Sequence, residues 1–256
     1  MMSFAAFASR LADAARGATL HAAGSSAEDK SNGGAFDPVT EADREAERLM
    51  RALIEAQHPD HGISGEELGD RPAIGPYRWS LDPIDGTRSF ICGLPSWTTL
   101  IALLEQDAPI LGLIDAPRLD ERYLGDGKHA WLNGEAIRTS GCISLGEARL
   151  STTDPFLFTG EEAAGFERLR RAVRVTRYGH DAYGYARLAA GAIDLVAESG
   201  LKPHDWHALV PVMSGAGGII GNWRGGADLS AGQVLAAATP ELFGQAVALL
   251  ALALSD

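Results

Sequence analysis

The sequence predicts a mixed chain in two halves, α+β with antiparallel strands first and a layered α/β unit after about residue 140. Three observations lead there. A helical stripe of apolar residues follows Thr40; short apolar runs then alternate with turn signals up to an Asn133-Gly134 pair; beyond residue 140, strand-like and helical pieces alternate. No linker-like stretch parts the halves, so residues 1–256 read as one unit, with subdomains of about 1–140 and 141–256 sharing a cleft.

In chain order, Phe4, Phe7, Leu11, Ala14 and Ala15 share one helix face, and Arg10, Asp13, Arg16 and His21 interrupt anything resembling a secretion signal. Residues 25–36 are polar and glycine-rich and read as an exposed loop, in which Lys30 is placed to close over a site. Thr40 has the chemistry of an N-cap. Behind it Ala42, Ala46, Leu49, Leu53 and Ile54 form the stripe of a helix over 41–57. Strands are predicted near 78–81, 97–104 and 109–114, then a hairpin of 130–132 and 136–138 turning at Asn133-Gly134. In the second half strands near 148–151, 173–176, 193–197 and 233–237 alternate with helices over 161–171, 182–190, 206–215 and 241–252. Thr239-Pro240 suits the start of the last helix.

Composition bounds the function. Hydrophobic residues at 46% and charged residues at 22% describe an ordinary globular chain, and the longest apolar run, 246–254, is too short to cross a bilayer. A net charge of −12 argues against nucleic acid as a partner and favours cations, whether metals or a positively charged substrate. Cys92 and Cys142 are too few for a disulfide scaffold and lack metal spacing, which points to a reducing, cytoplasmic setting.

The chemistry concentrates in Ser80-Leu81-Asp82-Pro83-Ile84-Asp85-Gly86-Thr87. Two acids three residues apart are out of place inside a strand, so the strand is expected to end before them, with Pro83 stiffening the turn. Like charges this close call for a cation, and hard oxygen ligands suit Mg²⁺. Gly86 lets the backbone approach a ligand, and the amides of a following helical turn would face an anion. A metal beside an anion points to phosphate chemistry. Three further acidic stations accompany this one: Asp43 in the first turn of the 41–57 helix, Gly65-Glu66-Glu67, and His204-Asp205 ahead of Gly215-Ala216-Gly217-Gly218. Each alone has a plain structural reading as a cap or a solvated turn. The glycine block does not read as a dinucleotide site, because no Gly-x-Gly-x-x-Gly follows a strand there.

Asp37-Pro38-Val39-Thr40-Glu41-Ala42-Asp43, Gly65-Glu66-Glu67, Asp82-Pro83-Ile84-Asp85-Gly86-Thr87 and Asp205 with its glycine block together resemble the inositol-monophosphatase superfamily, in order from about residue 37 to 220. The resemblance implies a layered αβαβα sandwich with the active site between two subdomains. It further implies a Mg²⁺-dependent, lithium-sensitive phosphatase of small phosphate monoesters, working as a homodimer. Residues 87–91, 99–103 and 198–205 look most like the histidinol-phosphate phosphatase branch, which serves histidine biosynthesis. His204 stands where inositol phosphatases usually carry Trp, which weakens an inositol assignment more than the metal site.

By the same resemblance, Glu66, Asp82, Asp85 and Asp205 with the Ile84 carbonyl would ligate two or three Mg²⁺ ions. Gly86 and Thr87 amides would hold the phosphate. Thr87 would take a proton from the attacking water and pass its own to Asp43. Glu198, seven residues before Asp205, falls at the family's polyol-recognising acid, and Asp181 is a second acid suited to a cationic leaving group. Two readings compete with histidinol phosphate. One keeps the chemistry with inositol monophosphate, fructose bisphosphate or a 3′-phosphonucleotide as substrate; the other is a catalytically silent metal-binding regulator.

Overall fold

Two β-sheets alternate with three layers of helices in the computed structural model, which describes residues 2–24, 26, 28–29 and 38–251. Lys30, Asp37 and most of the 25–36 stretch lie outside the described residues. Helix α1 (Phe4–Thr19) opens on Ser3, whose hydroxyl accepts the Ala6 amide at 3.2 Å. A short ribbon pairs β1 (Glu28–Asp29) with β2 (Pro38–Val39) and leads into α2 (Glu41–Gln57). The first sheet contains β3 (Gly62–Gly65), β4 (Asp70–Arg71), β5 (Tyr77–Asp85), β6 (Thr98–Glu105), β7 (Ala108–Ala116), β8 (Glu121–Gly125), β9 (Ala130–Leu132) and β10 (Glu135–Ala136). Its spatial order is β10-β9-β8-β7-β6-β5-β3-β4, and the short α3 (Thr87–Ile91) follows β5.

The second sheet contains β11 (Arg149–Thr152), β12 (Val175–Tyr178), β13 (Leu195–Glu198), β14 (Ile219–Gly221) and β15 (Val234–Ala237), ordered β12-β11-β13-β15-β14. The helices of this half are α4 (Gly160–Ala172), α5 (Asp181–Ala189), α6 (Pro203–Trp206), α7 (Leu209–Gly215) and α8 (Pro240–Ala251).

Side-chain alternation builds the layers. In β6, Ile101 and Leu103 face α1 and α2 in a core with Phe7, Leu11, Met50 and Ile54, while Leu100, Ala102 and Leu104 face the opposite way. There they meet Tyr185 and Leu188 of α5 and Leu209, Val212 and Met213 of α7. That middle layer also covers Val196, Val234 and Ala236 of the second sheet, whose neighbours Leu195, Ala197, Leu235 and Ala237 pack outward on Phe166, Leu169, Leu242 and Leu250. The result is helix–sheet–helix–sheet–helix. Both sheets are covered on both faces, so their central strands are buried on both sides and largely apolar.

Two contacts hold the layers in register. Gly112 and Gly125 let α7 and its lead-in sit directly on β7 and β8, because a Cβ at Gly112 would collide with the Ala208 carbonyl and one at Gly125 with the Val212 backbone. On the other face, fully buried Asp115 of β7 receives Arg16 from α1 (Nε–Oδ2 2.6 Å, Nη2–Oδ1 3.0 Å) and Arg122 from β8 (Nε–Oδ1 2.7 Å).

The structure departs from the sequence reading in definite places. The strand expected to stop at Leu81 continues to Asp85, because a register shift between Asp82 and Asp85 against β6 lets both acids stay in the strand while leaving regular pairing. The helix expected over 206–215 is two pieces, α6 and α7. Pro211 has no amide to bond the His207 carbonyl, so one continuous ladder is impossible. Strands β3, β4, β8 and β14 lack a period-2 apolar signal and exist through their neighbours. The second sheet is mixed, with β11 parallel to β12 and β13 but β15 antiparallel to β13 and β14.

Two outcomes follow for stability. Asp115→Asn leaves two guanidinium groups facing a neutral amide and should cost about 3 kcal/mol, read from urea denaturation midpoints. Gly112→Ala should cost about 2 kcal/mol or more, since the obstacle is backbone that cannot rotate away. An unchanged midpoint for Gly112→Ala would mean that α7 does not rest on β7.

Candidate functional site

Three carboxylates from two separate stretches of chain converge. Asp82 and Asp85 come from the irregular end of β5, and Asp205 from α6; oxygens of all three lie within 4.8 Å of one another. Asp82 is 1% exposed, and its Oδ1 has no hydrogen-bond partner among the described residues. Asp85 Oδ2 is oriented by the Ala182 amide (2.8 Å) and the Thr98 hydroxyl (3.3 Å), and Asp205 Oδ2 by the Lys202 amide (2.6 Å). The bulge is braced from β6 by Thr99, whose hydroxyl donates to the Pro83 carbonyl at 2.8 Å.

Charge crowding sets the electrostatics. Burial first, then Glu66, Asp85 and Asp205, push the Asp82 carboxyl well above the ordinary carboxylate range. Burial, then Asp181 and Asp205, do the same to Asp85, and burial also raises Asp205. Such a set favours protons or cations. All its donors are oxygen, the preference of Mg²⁺ and Ca²⁺ rather than of thiophilic metals.

Glu66 is not part of the close trio, but its charge acts on all three members. It follows β3, which runs parallel to β5 with Gly65 opposite Leu81. The turn carrying it is held by Glu47 of α2, a fully buried acid that the sequence reading passed over. Glu47 accepts the Glu67 amide (2.8 Å) and the Leu68 amide (3.2 Å) and pairs with Arg51 (2.7 Å). A signal existed in the sequence: Glu47 lies four residues after Asp43, on the edge of the buried stripe of the helix.

Gly86 adopts φ +79° and caps α3, a conformation that turns the chain straight from Asp85 into the helix. A Cβ there would come within 2.8 Å of Asp181 Oδ2, so the Asp181 carboxylate lies against the Gly86 backbone. The Thr87 hydroxyl donates to the Ile84 carbonyl at 3.0 Å. Asp43 receives instead the Thr40 amide (2.8 Å) and the Thr40 hydroxyl (2.5 Å), closing the cap of α2. A threonine has one hydroxyl proton, so in this arrangement Thr87 does not also donate to Asp43; the direct link expected from the sequence requires that hydroxyl to swing. Burial pushes the Asp43 carboxyl up to about 6, against the pull of Thr40.

Beside the trio opens a cavity of about 190 Å³, lined by Asp85 from the first sheet and by Thr153, Asp181, Tyr185, Glu198 and Asp205 among residues of the second half. Glu198 ends β13 and is 2% exposed. Its Oε1 accepts the Thr153 amide (2.7 Å) and hydroxyl (3.1 Å), and burial pushes its carboxyl up to about 8. Thr152 lies close enough to favour the ionised carboxylate, but neither Thr152 Oγ1 nor Glu198 Oε2 completes a hydrogen bond of ordinary geometry. Asp181, at φ +48°, starts α5; burial raises it to about 6, opposed by Thr153 and Arg88. No helix among the described residues is long and apolar enough to cross a membrane.

With this geometry in view, the comparisons with known proteins are specific. The model of the inositol monophosphatase family matches residues 2–253. The bifunctional phosphatase IMPL2, chloroplastic, of Arabidopsis thaliana is 52% identical over 193 residues, covering 74% of this chain and 56% of that protein, so the chain spans little more than half of that relative. The histidinol-phosphatase of Chlorobaculum parvum is 36% identical over 203 residues, covering 78% of each chain. The solved structure of an inositol monophosphatase from Zymomonas mobilis superposes with a TM-score of 0.86 at 41% identity over 96% of each chain. The chain belongs to the inositol monophosphatase family, phosphatases that hydrolyse phosphomonoesters.

Proposed function

We propose that this protein is a Mg²⁺-dependent histidinol-phosphate phosphatase acting in a reducing, cytoplasmic setting. One observation carries the choice of substrate: two acids, buried Glu198 and half-buried Asp181, wall a cavity that opens onto the carboxylate trio. A leaving group with an ammonium and an imidazole answers both acids, whereas a neutral polyol leaves their charge uncompensated. Relatives named histidinol-phosphatase, at 36% and 34% identity, point the same way.

The site fits a divalent cation on its own chemistry, since its donors are oxygens and a buried Asp82 oxygen has no protein partner. Asp82, Asp85 and Asp205, with Glu66 and the Ile84 carbonyl, would hold the ions. Bound there, they supply positive charge that stabilises both the attacking and the departing oxygen of an in-line displacement. The remaining work falls to the chain. Gly86 and Thr87 offer first-turn amides of α3, which have no intrahelical partner, to the phosphate oxygens. Thr87 Oγ1 keeps lone pairs to orient the attacking water while its proton rests on the Ile84 carbonyl. Asp43, already raised towards neutrality, is the terminal proton acceptor once that hydroxyl swings. Water adds to phosphorus and gives up a proton towards Asp43, the ester P–O bond breaks, and the departing alkoxide takes a proton from solvent to give histidinol and phosphate, while Asp43 returns its own to solvent. The inositol reading is kept alive by the 41% identity to the Zymomonas enzyme, and the same assay decides it.

Mg²⁺ should raise the melting temperature relative to chelator, with a gain near 2.7 kcal/mol at about a hundredfold excess over Kd. Asp85→Asn and Asp205→Asn should lose that shift and the activity together. Thr87→Ala should keep the shift and lower kcat. Identical melting curves with and without Mg²⁺, and no metal-dependent turnover, would remove the metal assignment.

Phosphate release should be faster from histidinol phosphate than from inositol 1-phosphate, and Glu198→Gln should cut that preference roughly ten- to a hundredfold, the loss of one charge-assisted hydrogen bond. A reversed preference in the wild-type protein assigns the inositol substrate instead.

Glu198 also predicts a pH dependence. Its folded value of about 8 stands above an ordinary 4.5, so the ligand-free fold prefers the protonated acid. The stability it contributes is complete below about pH 4.5, declines by up to about 1.4 kcal/mol per pH unit, and levels off above about pH 8. In urea denaturation of metal-free protein, the advantage of Glu198→Gln over wild type should therefore widen from about pH 5 to about pH 8. A constant difference would mean that Glu198 does not titrate in this range.

A further inference from the structure

Two polar atoms in the leaving-group cavity are unanswered, and they differ in what they ask for. Tyr185 is 1% exposed on the inner face of α5, and its hydroxyl has no hydrogen-bond partner among the described residues. Glu198 Oε2 completes no hydrogen bond of ordinary geometry either: Thr153 engages only Oε1, and Thr152 lies close without completing one. Both residues line the same cavity, and of the charges acting on the phenol Glu198 is the strongest. Yet the two do not bond each other. A buried hydroxyl left beside a carboxylate without bonding it is costly for the free fold, and such costs are retained where a ligand meets them.

The ligand's chemistry follows from the pair. An ionised carboxylate only accepts, while a phenol both donates and accepts. A ring carrying an N–H at one position and a lone pair at another serves both at once, and imidazole is such a ring. When the imidazole is protonated the phenol oxygen accepts instead, so the pairing survives either state. A sugar hydroxyl would also suit the two atoms, but beside polar Thr153, Asp181 and Ser199 the wall has an apolar part: Leu157, Leu201, Leu209 and Ala182. Those groups pack on the faces of a flat ring and leave the remaining hydroxyls of a polyol unpaired.

We propose that Tyr185 is a specificity-determining residue, its hydroxyl bonding one ring nitrogen of the substrate imidazole while Glu198 Oε2 holds the other. This rests on the histidinol-phosphate reading above and adds to it the group that reads the ring.

The test compares kcat/KM at fixed Mg²⁺ for histidinol phosphate and for the phosphate monoester of phenylalaninol, which keeps the amino-alcohol frame but has no ring nitrogen. Wild type should prefer histidinol phosphate, and Tyr185→Phe should reduce that preference about tenfold, because only the imidazole substrate uses the hydroxyl. Melting without ligand should be unchanged or higher in Tyr185→Phe, since the hydroxyl removed had no protein partner. A preference equal to wild type overturns the assignment of Tyr185 while leaving the histidinol-phosphate reading intact. A lower melting temperature overturns it as well, by giving the hydroxyl a structural partner. No turnover of histidinol phosphate by wild type overturns both readings.

Discussion

The carboxylates of Asp82, Asp85 and Asp205 repel one another in a pocket that water reaches only in part, and the surrounding architecture answers that repulsion. Asp205 raises both Asp82 and Asp85, Asp85 raises Asp82, and Glu66 and Asp181 add to the effect. Among the described residues, no Lys or Arg side chain forms an ion pair with any of the three. Their other interactions are backbone amides and hydroxyls, which aim the oxygens without neutralising them. The nearest cationic candidate, His204, reaches one oxygen of Asp205 at 3.4 Å from the side. A cluster aimed but not neutralised is built for a cation that comes from solution.

Holding such a cluster requires stiff neighbours, and the layered core supplies them. β5 is flanked by β6 and β3 and covered on one side by α1 and α2, so its irregular end is fixed by packing on one side and by Thr99 on the other. Asp205 arrives from the second half of the chain through a helical turn that α7 prolongs after a break at His207 and Ala208. The close seat of α7 on Gly112 and Gly125 therefore bears on the geometry of the site as well as on stability. Glu47 does the same for the Glu66 turn from the other side.

The adjoining cavity shares Asp85 and Asp205 with the trio and adds Asp181, Glu198, a phenol and leucine side chains. The Glu198 carboxyl is raised by burial first, as those of the trio are, and by the charge of Asp181. The trio and the cavity thus adjoin through Asp85 and Asp205, and their residues come from different elements.

Much of this was legible in the sequence because it depends on local chemistry. The apolar period behind Thr40 determined α2 to the residue, Asn133-Gly134 its hairpin, and Thr239-Pro240 the start of α8. The Asp-Pro-Ile-Asp-Gly-Thr run pointed to the acid cluster, since like charges at that spacing are hard to explain otherwise. Tertiary structure decided the rest. Strands β3, β4, β8 and β14 have no amphipathic signal of their own, and they form because a neighbouring edge offers hydrogen-bonding partners. The strand could hold Asp82 because β6 accommodates a register shift that no local propensity encodes. That Glu47 carries the Glu66 turn and that Tyr185 stands unanswered beside Glu198 are facts about groups well separated in sequence. Their meeting is set by how two sheets pack across a shared helical layer, and a one-dimensional pattern does not carry that information.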